Sequence, residues 1–154
     1  MKPTPIINID GKRNVTFQEV FDVLSRNKAL KRTLCSIPHF YGLGIGGGLS
    51  YRGSTTNDID LIPFLKKSFK DISQYKQWQI INRIASALPN SMFGLPVDKG
   101  FFQVVDRYGF LDKFGQVDTS SKSVILTDYA SEFDDDLLMR EGQESIESIE
   151  VFRC

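Results

Sequence analysis

At 154 residues, 41% hydrophobic and 25% charged, the chain has the size and composition of one globular domain, which excludes the disordered and fibrous classes. Lysine plus arginine balance aspartate plus glutamate at 19 each, so no whole-molecule field draws nucleic acid to it. No run reaches membrane-spanning length, the start MKPTPIINIDGKRN has no apolar signal core, and Cys35 and Cys154 are too few for a secreted disulfide framework, although one bridge is possible. A cytoplasmic, reducing compartment without a membrane partner is the resulting expectation.

Thr16-Phe17-Gln18-Glu19 has the form of a capping box, and Phe17, Val20, Phe21, Leu24, Leu30 and Leu34 follow at helical spacing. A helix is predicted from about Phe17 to Leu34, with a break near Asn27 and Cys35 as a core residue at its end. Phe40 to Gly47 alternates large residues with glycine, which predicts a strand with one bare face open to another backbone or a ligand. Gly48 to Thr56 reads as a turn with room for one helical turn. Asp58 to Leu65 is a second strand, closed by Pro63 and the lysines at 66 and 67.

Ile72, Tyr75, Trp78, Ile81, Ile84, Ala85 and Leu88 share one helical stripe. They predict a helix from Ser68 or Asp71 to Leu88, with Trp78 in the core. Val97 to Asp106 is a third strand with a possible bulge at Gly100, and Lys122 to Tyr129 a fourth. Glu132 to Arg140 reads as a short acidic helix started by Asp134, Asp135 and Asp136, and SIESIEVFRC as an edge strand or a loose end. The order predicts an α/β or α+β domain over residues 1–154, a small mixed sheet flanked by helices.

The chemistry concentrates in GGGLSYRGSTTNDIDLIPF. On a strand, Asp58 and Asp60 project from one face while Ile59 turns the other way. Two adjacent carboxylates repel, which is costly unless a cation joins them, and such oxygen-rich sets suit magnesium or manganese. Ten residues earlier, Gly46, Gly47 and Gly48 permit positive φ and close approach of an anion to successive backbone N–H groups. Ser50 adds a hydroxyl, and Arg52 a guanidinium fork. The run Gly42-Leu43-Gly44-Ile45-Gly46-Gly47 also satisfies the dinucleotide pattern, but its glycines fall inside the strand instead of after it. His39 reads as a turn or packing residue, and Lys99 as a surface lysine or, less favoured, a triphosphate contact.

A strand, a glycine bend, an Arg-Gly and an Asp-x-Asp strand together resemble the polymerase-beta-like nucleotidyltransferase superfamily, especially its minimal members. The resemblance covers Gly46 to Phe64 directly, with Leu49 standing where many members have the serine. It implies a nucleotidyltransferase that uses two Mg2+ or Mn2+ ions to move a nucleoside monophosphate from a nucleoside triphosphate to an acceptor hydroxyl. The acceptor is a protein, a nucleic acid end or a small molecule. Asp58 and Asp60 would hold the metals; Gly47, Gly48, Ser50 and Arg52 would hold the triphosphate. A third carboxylate belongs on a later strand: Asp98 is preferred over Asp106, and Asp128 is a distant third. Small members often act with a separate helical partner. The alternative is a degenerate nucleotide- or partner-binding module of the same fold, and a weaker one is an interaction domain that uses the twelve phenylalanines and the acidic tail.

Overall fold

The computed structural model describes residues 6–7, 13–105, 123–126, 138–140 and 148–154. Asp106, Asp128 and the Asp134–Asp136 run lie outside them.

Strands β1 (Ile6–Ile7) and β2 (Arg13–Thr16) lead into helices α1 (Phe17–Arg26) and α2 (Lys28–Cys35). The Thr16 hydroxyl oxygen accepts the Glu19 N–H at 3.3 Å, starting α1, and donates to the Glu19 carboxylate at 3.1 Å. Asn27 divides the predicted long helix because its side chain caps the next one, with Oδ1 accepting the Leu30 N–H at 3.0 Å. Buried Val20, Leu24, Leu30 and Leu34 turn the pair inward.

Strand β3 (Phe40–Gly46) runs straight into a short helix α3 (Gly47–Arg52), which ends at the left-handed Gly53. Strand β4 (Ser54–Thr55) pairs with β2, and β5 (Ile59–Lys66) returns antiparallel to β3. A 3-10 turn (Lys67–Asp71) and helix α4 (Gln74–Ala87) cross over to β6 (Ser91–Met92), β7 (Leu95–Asp98) and β8 (Phe101–Val105). Both β7 and β8 pair parallel with β5, so the predicted third strand is two segments separated at Lys99–Gly100. Opposite that gap, Leu61–Pro63 have no parallel partner. A proline, having no N–H, costs a central strand least there. This is why β5 continues through Pro63 to Lys66 instead of closing at it.

Strands β9 (Ser123–Leu126), β10 (Leu138–Arg140) and β11 (Ser148–Arg153) complete a mixed sheet in the order β10-β9-β8-β5-β3-β11. Leu138–Arg140 is therefore a strand and not the end of an acidic helix. Its antiparallel ladder with β9 decides its conformation against local propensity. The mixed α/β class is as expected.

The bare face of β3 is filled by protein. A Cβ on Gly42 would lie 2.6 Å from the Phe152 carbonyl oxygen of β11, and one on Gly44 would lie 2.6 Å from the Phe64 ring. These glycines admit a neighbouring strand and a side chain, which removes the dinucleotide reading. On α4 the buried face is Ile80, Ile81, Ile84, Ala85 and, just beyond, Leu88, while Tyr75 is 58% exposed and Trp78 half-buried. Trp78 is thus not the core residue that the stripe implied.

The end of the chain is held as an edge strand, and Cys154 forms a disulfide with Cys35 across 119 residues of sequence. The bridge removes the support that cysteine usage lent to a reducing compartment. None of the described helices is long and apolar enough to cross a membrane. A native bridge typically adds about 2–4 kcal/mol, mainly by restricting the unfolded chain. Cys154→Ser, or reduction of the wild type, should therefore shift the urea midpoint clearly downward. Coincident curves with and without reductant would show that the bridge adds nothing.

Candidate metal centre

One row of residues crosses the sheet: Gly46 on β3 pairs with Asp60 on β5, and Asp60 with Asp98 on β7. Asp58 immediately precedes β5, and Ile59 between the two acids is fully buried, so the core anchors the strand while both carboxylates emerge on one side. Carboxylate oxygens of Asp58, Asp60 and Asp98 all lie within 4.8 Å of one another, and all three side chains are half-buried. Parallel register thus places Asp98 beside the pair, whereas strand parity alone left Asp98 and Asp106 equivalent.

The glycine bend closes on the same point. Gly47 has φ +60°, and a Cβ there would overlap the Asp60 carboxylate. A Cβ on Gly48 would lie 2.6 Å from Nη2 of Arg52, so the exposed Arg52 side chain folds back over the start of α3. Gly46, which precedes the helix, supplies no side-chain cap. Ser50 sits inside α3 and its hydroxyl donates to the Gly47 carbonyl at 2.8 Å, steadying the bend from within.

Asp98 is held by the two residues that follow it. The Gly100 N–H donates to its Oδ1 at 2.8 Å. Lys99 points to the opposite face and is 1% exposed, so it is neither a surface lysine nor a triphosphate contact. Its ammonium donates to the Ala85 and Leu88 carbonyls and to Asn90 Oδ1, at 2.7, 2.9 and 2.7 Å. A cation at the C-terminus of α4 satisfies its last carbonyls and meets the negative end of the helix dipole. Burial pushes the Lys99 ammonium below its ordinary pKa. Sequence reading missed this anchor. The one available signal was parity, since a residue beside a site-facing Asp98 must point into the core.

The electrostatics of the cluster oppose full ionisation of its carboxylates. Burial, the neighbouring charges of Asp58 and Asp98, and a hydrogen bond with Asp98 push Asp60 from 3.8 up to about 6. The folded protein therefore holds this proton more tightly than the unfolded chain. Its contribution to stability is complete at low pH and is lost as pH rises through about 6. Replacing the carboxylate by a neutral isostere removes that liability. In chelator, Asp60→Asn should raise the urea midpoint of the metal-free protein at pH 8 and flatten its decline between about pH 4 and 7. Superimposable pH–stability profiles for the variant and wild type would contradict the assignment.

Three converging carboxylates, one of them strained by burial and like charge, are a donor set suited to hard divalent cations such as Mg2+ or Mn2+. Comparison of the chain with known proteins finds no matching family model, no matching curated protein and no matching solved structure.

Proposed function

We propose that the cluster is the metal site of a nucleotidyltransferase, with the Gly46–Gly48 bend as the seat of the triphosphate. A single observation carries this reading. The acids Asp58, Asp60 and Asp98 converge within 4.8 Å directly against a positive-φ glycine whose missing side chain leaves room for them. The order of strand, glycine bend, Asp-x-Asp strand and third carboxylate on a later strand, which is the order that the resemblance implies, supports this reading.

In this reading Asp58, Asp60 and Asp98 hold Mg2+ or Mn2+. When bound, the metal supplies positive charge to the developing oxyanions of an in-line displacement. The first-turn N–H groups of α3, lacking a side-chain cap, bind phosphate oxygens, and Arg52 adds a guanidinium at the same turn. The acceptor hydroxyl oxygen bonds to the α-phosphorus, the bond to the β-phosphate oxygen breaks, and pyrophosphate leaves. Asp98 takes the acceptor's proton. The Gly100 N–H holds its carboxylate and Lys99 anchors the backbone beside it, so little reorganisation accompanies the step.

Incubation with α-labelled and γ-labelled nucleoside triphosphates and Mn2+ tests this reading. Transfer of the α-label with release of pyrophosphate supports it, and transfer of the γ-label alone refutes it. The internal bond of Ser50 favours one second reading, because that hydroxyl is already engaged within α3. A binding module of the same fold would take up nucleotide with Mn2+ and release no pyrophosphate.

A further inference from the structure

The balanced total charge conceals a polarised surface. In residues 26–39 every Lys, Arg, Asp or Glu is a base: Arg26, Lys28, Lys31 and Arg32, all exposed. In residues 66–83 the bases are Lys66, Lys67, Lys70, Lys76 and Arg83, against the single acid Asp71. These stretches form α2, the turn before β3, and the crossover through α4, and Thr33, Ser36 and Ile37 of the first line a cleft together with Asn82, Arg83 and Ser86 of the second. The Lys66 N–H donates to the His39 carbonyl at 2.8 Å, closing that end.

Two adjoining clefts lie on this basic face. One, of about 630 Å³, is lined among others by His39, Lys76, Trp78 and Arg83. The other, of about 560 Å³, shares Asn82 and Arg83 and continues along α2 past Thr33 and Ser36. Among the described residues, no acid lines either cleft. The exposed Arg32 lies one helical turn before Ser36, which lines the second cleft. Trp78, which lines the first, stacks on Tyr75 with ring centroids 6.3 Å apart, and Tyr75 is 58% exposed.

We propose that this face binds single-stranded nucleic acid, with phosphates on Arg32, Lys76 and Arg83 and a base on the Tyr75–Trp78 platform. A flat aromatic platform beside a cationic track is the chemistry that holds an unpaired strand without reading its sequence. The amides of Gln79 and Asn82 add donors and acceptors for base edges. An acidic peptide would use the cations but leave the aromatic pair idle. The surface is separate from the metal centre: His39 precedes β3 and Gly46 ends it, about 20 Å away at strand rise.

Trp78 is the only tryptophan, so its fluorescence reports on this cleft alone. Oligouridylate of about 12 nucleotides, titrated into the full chain, should quench it, with affinity falling steeply between about 50 and 200 mM salt. Lys76→Gln with Arg83→Gln should weaken binding at least about tenfold and reduce the salt slope by about 1.4. Tyr75→Ala should weaken it about fivefold or more while the thermal melt stays unchanged. Asp58→Ala with Asp60→Ala should bind the oligonucleotide as wild type does.

Four results would overturn the proposal: no binding at about 100 µM protein in low salt, equal quenching by polyglutamate or by phosphatidylserine vesicles, binding indifferent to the cation substitutions, or loss of binding in the aspartate variant. The last would place the strand at the carboxylates instead.

Discussion

Replacing Asp58 and Asp60 together by alanine is expected to lower Mn2+ affinity by at least about a hundredfold and to abolish nucleotide transfer. Residues one shell beyond a metal's ligands already cost tenfold to a hundredfold when changed, and here two of three carboxylates are removed at once. The fold should survive. The pair contributes no core packing, Ile59 between them stays buried, and like-charge repulsion is relieved. Thermal melting in chelator should therefore give a midpoint equal to or above that of the wild type. Asp71→Ala, at an exposed acid on the opposite end of the sheet, is the matched control and should bind Mn2+ unchanged. Electron paramagnetic resonance of free Mn2+ measures the affinity directly, and α-labelled triphosphate measures transfer. If the double variant binds and transfers like the wild type, the carboxylates are not the site.

Gly47→Ala should be nearly as damaging by a different route. At φ +60° an alanine costs about 1–2 kcal/mol through its own backbone. Its methyl group would also overlap the Asp60 carboxylate, forcing that side chain out of the cluster. Gly53 separates the two costs. It has φ +77° but open space where a Cβ would stand. Gly53→Ala should lose about 1–2 kcal/mol of stability and keep its Mn2+ affinity. Gly47→Ala should lose similar stability and, in addition, about tenfold to a hundredfold of affinity, the scale seen when a metal ligand loses its positioning. Equal affinities for the two variants would show that the bend does not shape the site.

Much of the candidate site was legible because its parts are local. The two-residue repeat of Asp58 and Asp60 needs only strand pleating to put both acids on one face, and a triple glycine needs only its missing side chains to allow a positive φ. The cap at Thr16, the break at Asn27 and the strand at residues 40–46 were readable for the same reason, since each depends on neighbours within a turn. The third carboxylate was not of this kind. Asp98 and Asp106 differ in nothing that parity can detect, and what brings Asp98 beside the pair is the parallel register of β7 against β5, more than thirty residues away.

Long-range packing likewise overruled several local readings. Lys99 had the composition of a surface residue, yet the end of α4 offered it three acceptors, and those outweighed its desolvation. Gly42 and Gly44 looked like a ligand's approach, but β11 and Phe64 occupy that space. Trp78 sat on an apolar stripe, yet only the later turns of α4 bury their side chains, which leaves the ring at a cleft. The amino-acid sequence by itself determined which atoms are capable of chemistry, because side-chain type, spacing and backbone freedom are local properties. Tertiary structure alone decided which of them meet. Bringing Gly46, Asp60 and Asp98 into one row, and Cys35 to Cys154, requires closing loops whose entropy only the assembled core offsets.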